Sequence, residues 1–220
     1  IMLNELDKEL ELRGLPFVRY ADDSMIFCRS RRAAMRVKES ITRFIENNLY
    51  LKVNQEKTVV SYVRGVKYLG YSFNVMKGKC QLTVHPKSKA KMKSRLKELT
   101  SRSNGWGYSK RKQKLKEYIR GWVGYYHLAN MKRLLLTTDE WLRRRIRMCI
   151  WKAWKKVKTK VANLIRWGID KYKAYEWGNT RKGCWRIADS HIMHRAITNE
   201  NLRKAGYATL MGEYLEWYPK

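Results

Sequence analysis

All nine tryptophans of this chain lie beyond residue 105, and its charge divides at nearly the same place. Residues 1–80 carry 15 basic and 9 acidic side chains, whereas residues 81–220 carry 34 and 10. Any fold must therefore join two stretches of different physical character. The first is almost balanced and holds short apolar runs; the second is strongly cationic, with apolar residues recurring at helical spacing. A formal charge of +30 over 220 residues selects a polyanionic partner, either nucleic acid or an anionic surface. No run of some 18 apolar residues occurs, which leaves nucleic acid as the favoured partner. At 44% hydrophobic the chain can build real cores, so the charge is not that of a disordered tail. Cys28, Cys80, Cys149 and Cys184 stand far apart with no C-x-x-C pair. That spacing argues against a zinc ribbon and reads as buried apolar thiols in a reduced setting.

Within the first stretch, "FVRYADDSMIF" alternates apolar and polar residues on either side of Asp22 and Asp23, the pattern of a β-hairpin with an Asp-containing turn. Leu3, Leu6 and Leu10 predict a preceding helix stopped by Gly14 and Pro16. After the hairpin, Ser30 predicts an N-cap for a helix whose inner face is Ala34, Val37, Ile41, Phe44 and Ile45. The segments "LKVN", "TVVSYV", "KYLGYSF" and "QLTV" follow and read as strands. The order helix, hairpin, helix, strands predicts an α+β layer with both carboxylates at a hairpin tip.

The second stretch reads as an all-α basic bundle. A helix beginning near Pro86 has Met92, Leu96 and Leu99 inside and Lys87, Lys89, Lys91, Lys93, Arg95 and Lys97 outside. A second helix carries Leu115, Tyr118, Ile119, Trp122, Val123 and Tyr126 as its stripe. A third is expected to start at Thr138 as N-cap, with Asp139 and Glu140 in its first turn. Trp122, Trp141, Trp151 and Trp154 fit core positions. Beyond residue 158 several short helices are expected, broken at Gly168, Gly178, Gly183, Gly206 and Gly212, with Thr198 and Asn199 starting one of them. His191 and His194 share a helix face but lack the partners a metal site needs.

Two fixed carboxylates suit a pair of Mg²⁺ ions of the kind polymerases and nucleases use. Taken alone, an Asp pair in a turn is also ordinary turn chemistry, and a basic RNA-binding module with such a turn remains an alternative. The motifs together are more specific. "YADD" (Tyr20, Ala21, Asp22, Asp23) resembles the palm motif of reverse transcriptases, "LYLKVNQEKT" resembles the next palm motif, and "VKYLGYSF" resembles the primer-grip hairpin. "YIRGWVGYY" with "LRRRIRMCIWKAWK" resembles the thumb, or maturase domain, of group II intron-encoded reverse transcriptases of the compact bacterial kind.

That resemblance implies a partial polymerase palm over 1–84, a thumb/maturase helical domain over 85–157 and a small helical DNA-binding region over 158–220. It implies that Asp22 and Asp23 are Mg²⁺ ligands completed by a third carboxylate from an earlier palm strand, and that Lys57 serves electrostatic or general-acid roles near the nucleotide phosphates. Leu69 and Gly70 become primer-grip residues. Lys87, Lys89, Lys91, Lys93, Arg95, Arg143, Arg144, Arg145, Lys152, Lys155 and Lys156 become candidate phosphate contacts, chosen by charge density. Expected partners are group II intron RNA, an RNA template–DNA primer duplex, target DNA and dNTP, in a bacterial cytoplasm. The resemblance further implies a C-terminal portion of a longer enzyme, with little polymerase activity by itself. A purely RNA-binding splicing factor and a domesticated relative of these enzymes both remain compatible with the residues.

Overall fold

The computed structural model describes residues 2–76 and 78–218. It is mixed helix and sheet and divides into two compact units, residues 1–85 and 86–220. Ile1, where the palm resemblance begins, lies outside the described residues.

In the first unit, helix α1 (Leu3–Leu12) seats Leu6 and Leu10 in the core. It stops at Gly14, whose φ of +61° lets Gly14 and Leu15 donate back to the carbonyls of Glu11 and Leu10. This closing turn is one that glycine adopts without a Cβ penalty. Strands β1 (Phe17–Tyr20) and β2 (Asp23–Ile26) then pair antiparallel, Tyr20 opposite Asp23 and Phe17 opposite Ile26. The covered face is that of Phe17 and Ile26, which pack on the Leu6, Leu10, Ile41 and Leu49 cluster, while Val18 and Tyr20 point to solvent.

Helix α2 (Arg31–Asn48) is capped as expected, the Ser30 hydroxyl accepting from the Ala33 N–H at 3.1 Å. Its Val37, Ile41, Phe44 and Ile45 join the same cluster, so α1, the hairpin and α2 share one core. Strands β3 (Lys67–Tyr68), β4 (Tyr71–Met76) and β5 (Lys79–Val84) form a separate antiparallel sheet in the order β3-β4-β5.

Two expected strands are not formed. "LKVN" and "TVVSYV" are irregular, with Val59 and Tyr62 at 77% and 88% exposure. Strand preference expresses packing against neighbours, and among the described residues neither segment has a ladder partner.

The second unit is helical throughout its described residues: α3 (Pro86–Leu99), α4 (Tyr108–Tyr126), α5 (Lys132–Ala153), α6 (Val157–Arg166), α7 (Lys171–Gly178), α8 (Cys184–Ile187), α9 (His191–Ala196), α10 (Asn199–Lys204) and α11 (Leu210–Glu216). Pro86 opens α3, and Met92, Leu96 and Leu99 are buried along it. Leu115, Ile119 and Val123 form the buried seam of α4. The short helices after residue 158 do not stand apart from this core, because α11 packs on α4 and α5 and α8 packs on α5.

Helix α5 corrects the expected start at Thr138. It begins at Lys132, and the Thr138 hydroxyl donates to the Leu134 carbonyl at 2.7 Å from inside the helix. Asp139 is consequently no first-turn acid. It is 2% exposed and its two oxygens accept the backbone N–H groups of Leu210 and Met211. Burial pushes its carboxyl up by more than the two N–H donors pull it down, so it stays above its ordinary value.

Arg147, also 2% exposed, donates from Nε to the Ile197 carbonyl at 2.9 Å and from Nη2 to Asn199 Oδ1 at 2.8 Å. Sequence patterning did not single out Arg147; here it satisfies acceptors that the packing removes from water.

Gly212 does not break a helix. It lies in the first turn of α11 with its N–H on Thr209 Oγ1 at 3.1 Å, where an added Cβ would meet that oxygen at 2.7 Å. Gly178 ends α7, and a Cβ there would lie 2.7 Å from Val161 Cγ2 of α6. Thr198 and Gly206 behave as expected, the first capping α10 through Asn201 and the second ending it at φ +86°.

Candidate catalytic hairpin and nucleic-acid interface

The hairpin places its two carboxylates on different parts of the turn. Ala21 and Asp22 are the connecting pair, and Asp23 is the first residue of β2. Tyr20, Ala21, Asp22 and Asp23 are all exposed, Tyr20 by 67%. Neither carboxylate enters a hydrogen bond or ion pair among the described residues. Adjacent, solvent-facing carboxylates with no ion-pair partner among the described residues fit a hard divalent cation. The fit is partial, since no group of three His, Cys, Asp or Glu able to hold a metal occurs among the described residues.

Ala21 holds φ +50°, a left-handed conformation that costs a non-glycine residue about 1 kcal/mol. The neighbouring side chain on the covered face of β1 is Arg19. Its Nε donates to Asp7 Oδ1 at 2.7 Å, its Nη2 pairs with Asp7 Oδ2, and its Nη1 donates to the Ala21 carbonyl at 3.0 Å. Arg19 and Asp7 were not singled out from the sequence. The available signal was the phase of β1, which puts a cation on the same face as half-buried Phe17 and so calls for an anion beneath it.

The primer-grip candidates form the second strained turn. Tyr68 pairs with Tyr71, so Leu69 and Gly70 are the two connecting residues of a β3-β4 hairpin, at φ +49° and +80°. Positive φ at both positions is the type I′ pattern, in which Asn-Gly is favoured and a leucine is costly. The Gly70 carbonyl accepts from the His85 N–H at 3.0 Å, holding the turn against the end of β5. Burial raises the Tyr68 phenol above its ordinary range, and the charge of Asp23 adds to that; its hydroxyl is buried without a hydrogen-bond partner among the described residues. Strain of this kind clusters at functional turns. A third left-handed residue, Tyr50 at φ +54°, follows α2.

Lys57 is not on a strand. It closes a turn in which its N–H donates to Asn54, and the turn is tied to α2 by Lys38 Nζ on the Thr58 carbonyl at 2.6 Å. Its side chain is exposed.

Along the helical unit the candidate phosphate contacts separate. Lys87, Lys91, Lys93 and Arg95 are exposed on α3 and Lys89 is half-buried; Arg95 pairs with Glu98 at 2.7 Å. Lys93 and Arg145 flank the Trp141 ring at 5.4 and 5.3 Å from its centroid. Arg145 turns inward, donating to Thr100 Oγ1 and to the carbonyls of Lys97 and Thr100, which closes the C-terminus of α3. Arg144 stacks 4.0 Å over Trp185 and pairs with Asp189 at 2.9 Å. Arg143 is half-buried, whereas Lys152 in the last turn of α5 and Lys155 and Lys156 just beyond it are exposed. Charge density along the sequence ranked these residues together because it carries no account of the inter-helix acceptors. It also passed over an open basic concavity lined by Arg102, Arg181, Lys182, Trp185 and Arg186.

His191 meets Trp177 edge-on at 5.4 Å between centroids, and His194 Nε2 faces Asp189 at 3.5 Å.

In comparisons with known proteins, the reverse transcriptase (RNA-dependent DNA polymerase) family model matches residues 1–73. The model of the group II intron maturase-specific domain matches residues 89–168. No curated protein matches the chain.

Proposed function

The chain belongs to the group II intron reverse transcriptase/maturase family, and on that footing we propose that the β1-β2 hairpin bears the polymerase's metal-binding carboxylates while the helical unit grips nucleic acid. The observation that carries the first half is the exposed pair Asp22 and Asp23 at the tip of a hairpin whose base is locked into the α1–α2 core. Asp22 and Asp23 would hold Mg²⁺ together with a further carboxylate from outside the described residues. When bound, the ion supplies charge stabilisation for nucleotidyl transfer and lowers the pKa of an attacking oxygen.

The residues of this chain then orient the reaction. The hairpin fixes the direction of both carboxylates, the Leu69–Gly70 turn offers backbone to the primer strand, and Lys57 lends positive charge to the nucleotide phosphates. Group II intron RNA and a template–primer duplex are the proposed nucleic-acid partners. Lys91, Lys152, Lys155 and Lys156 are the favoured phosphate contacts because they are exposed, whereas Arg144 and Arg145 are engaged within the fold.

Asp22→Ala in the full-length protein tests the assignment. It should abolish RNA-templated DNA synthesis and leave intron-RNA binding and splicing assistance in place. DNA synthesis that survives Asp22→Ala would remove the hairpin from catalysis. For the binding half, log affinity for structured RNA should fall with log salt at a slope implying several phosphate contacts. A flat slope would remove the grip.

A further inference from the structure

Arg19 is committed in two directions at once. Two nitrogens of its guanidinium engage both oxygens of Asp7 on α1, and the remaining terminal nitrogen donates to the Ala21 carbonyl at 3.0 Å. The side chains of Arg19 and Asp7 are 23% and 21% exposed, so the pair is shielded compared with the solvent-facing pairs of the same unit, such as Lys8 and Glu5 at 59% and 56%. Asp7 stands one residue after buried Leu6 and three before buried Leu10, and α1 is therefore fixed in the core beneath it. A planar guanidinium is the one side chain with enough donors, rigidly arranged, to bind a carboxylate along one edge and still reach a carbonyl with another N–H.

The carbonyl it reaches belongs to the residue that pays a conformational penalty. Ala21 is left-handed at φ +50°, and such a backbone persists only where its surroundings hold it. Nothing in an Ala-Asp connection favours that conformation as glycine would. We infer that Arg19 is a positioning residue for the catalytic turn: anchored by Asp7, it holds the Ala21 peptide and with it the turn that carries Asp22 and Asp23. This rests on the proposed role of those two carboxylates and names the device that orients them. The path runs from the core through Leu6 and Leu10, along α1 to Asp7, through Arg19 to the Ala21 carbonyl, and so to the hairpin tip.

The test compares three variants in the full-length protein: Arg19→Lys, the reciprocal swap Asp7→Arg with Arg19→Asp, and Asp22→Ala as reference. The swap restores an ion pair between α1 and β1 but leaves no cation to reach Ala21. Lysine can meet Asp7 but lacks the second set of donors. Thermal stability, kcat and KM for RNA-templated extension, and Mn²⁺ affinity followed by paramagnetic broadening of hairpin signals are read for each.

Arg19→Lys and the swap should keep near wild-type melting, lose on the order of tenfold to a hundredfold in kcat with little change in KM for the primer, and bind Mn²⁺ more weakly. A swap that recovers stability, kcat and Mn²⁺ affinity together would show that the ion pair is merely structural and overturn the inference. If the swap fails to fold, Arg19→Lys decides: wild-type kcat and Mn²⁺ affinity in that variant overturn the inference equally. Failure of the underlying function shows elsewhere, as DNA synthesis that persists in Asp22→Ala.

Discussion

The Asp139 carboxylate, in the middle of α5, accepts the backbone N–H of Leu210 at 2.8 Å across 71 positions of chain, so the last helix starts on an acid presented by another helix. Its second oxygen takes the Met211 N–H at 2.9 Å. Asp139→Ala would leave two amides at this buried junction without an acceptor and should cost about 2 kcal/mol, with loss of hydrogen-exchange protection confined first to α11. Asp139→Asn keeps one acceptor and should cost less. Equal melting of both variants and wild type would show that the junction is held by apolar packing alone.

Helices α6 and α7 meet where Gly178 leaves no room for a side chain. A Cβ at 178 would stand 2.7 Å from Val161 Cγ2. Gly178→Ala should therefore destabilise the helical unit by about 1–3 kcal/mol through overpacking. Val161→Ala removes the clashing methyl, so the double variant should be more stable than Gly178→Ala alone. A double-mutant cycle with no coupling would mean that the glycine is kept for another reason.

The Leu69–Gly70 turn opposes stability and function. Leu69→Asn supplies the residue that a type I′ turn favours and should raise stability by about 0.5–1 kcal/mol. If the strained backbone of this turn is what meets the primer end, relaxing it with Asn lowers extension efficiency in the same variant. A gain in stability with unchanged extension would relieve the turn of that role.

Acid should loosen the hairpin brace before it unfolds the helical unit. The hydrogen bond from Arg19, aided by its charge, holds the Asp7 carboxyl below its ordinary value of 3.8. A carboxylate whose folded pKa is depressed contributes stability that is fully present above the unfolded value and lost as pH falls through the folded one. The stabilisation is therefore intact at neutral pH, begins to fail as pH drops below about 4 and is gone once pH lies below the depressed folded value. Side-chain carboxyl NMR of Asp7 should titrate below the ordinary aspartate range, and Arg19→Leu should return it there. An Asp7 titration unmoved by Arg19→Leu would contradict the pairing.

Much of the local structure was legible because its causes are local. Ser30 capping α2, Pro86 opening α3, Thr198 and Gly206 bounding α10, and the buried series Met92, Leu96 and Leu99 follow from side-chain chemistry within one or two turns. The YADD hairpin was likewise visible, since period-2 alternation across an Asp-containing turn is a short-range pattern. Where the reading went wrong, the deciding partner lay outside the window. Thr138 has the chemistry of an N-cap, yet α5 begins at Lys132. "TVVSYV" has strand composition, yet no neighbouring strand pairs with it among the described residues.

The sequence by itself determined the division into an α+β part and a basic helical part, the position of the two candidate catalytic carboxylates and the cationic character of the helices. Charge, period and turn chemistry are properties of neighbouring residues, and so they survive without knowledge of the fold. Tertiary structure alone decided which ionisable groups face solvent and which serve the interior. Arg145 closes α3, Arg147 reaches Ile197 and Asn199, Asp139 starts α11, and Arg19 joins Asp7 to the Ala21 carbonyl of the hairpin turn. A buried charge is tolerated only beside its hydrogen-bonding partners, and those partners meet only when distant segments pack.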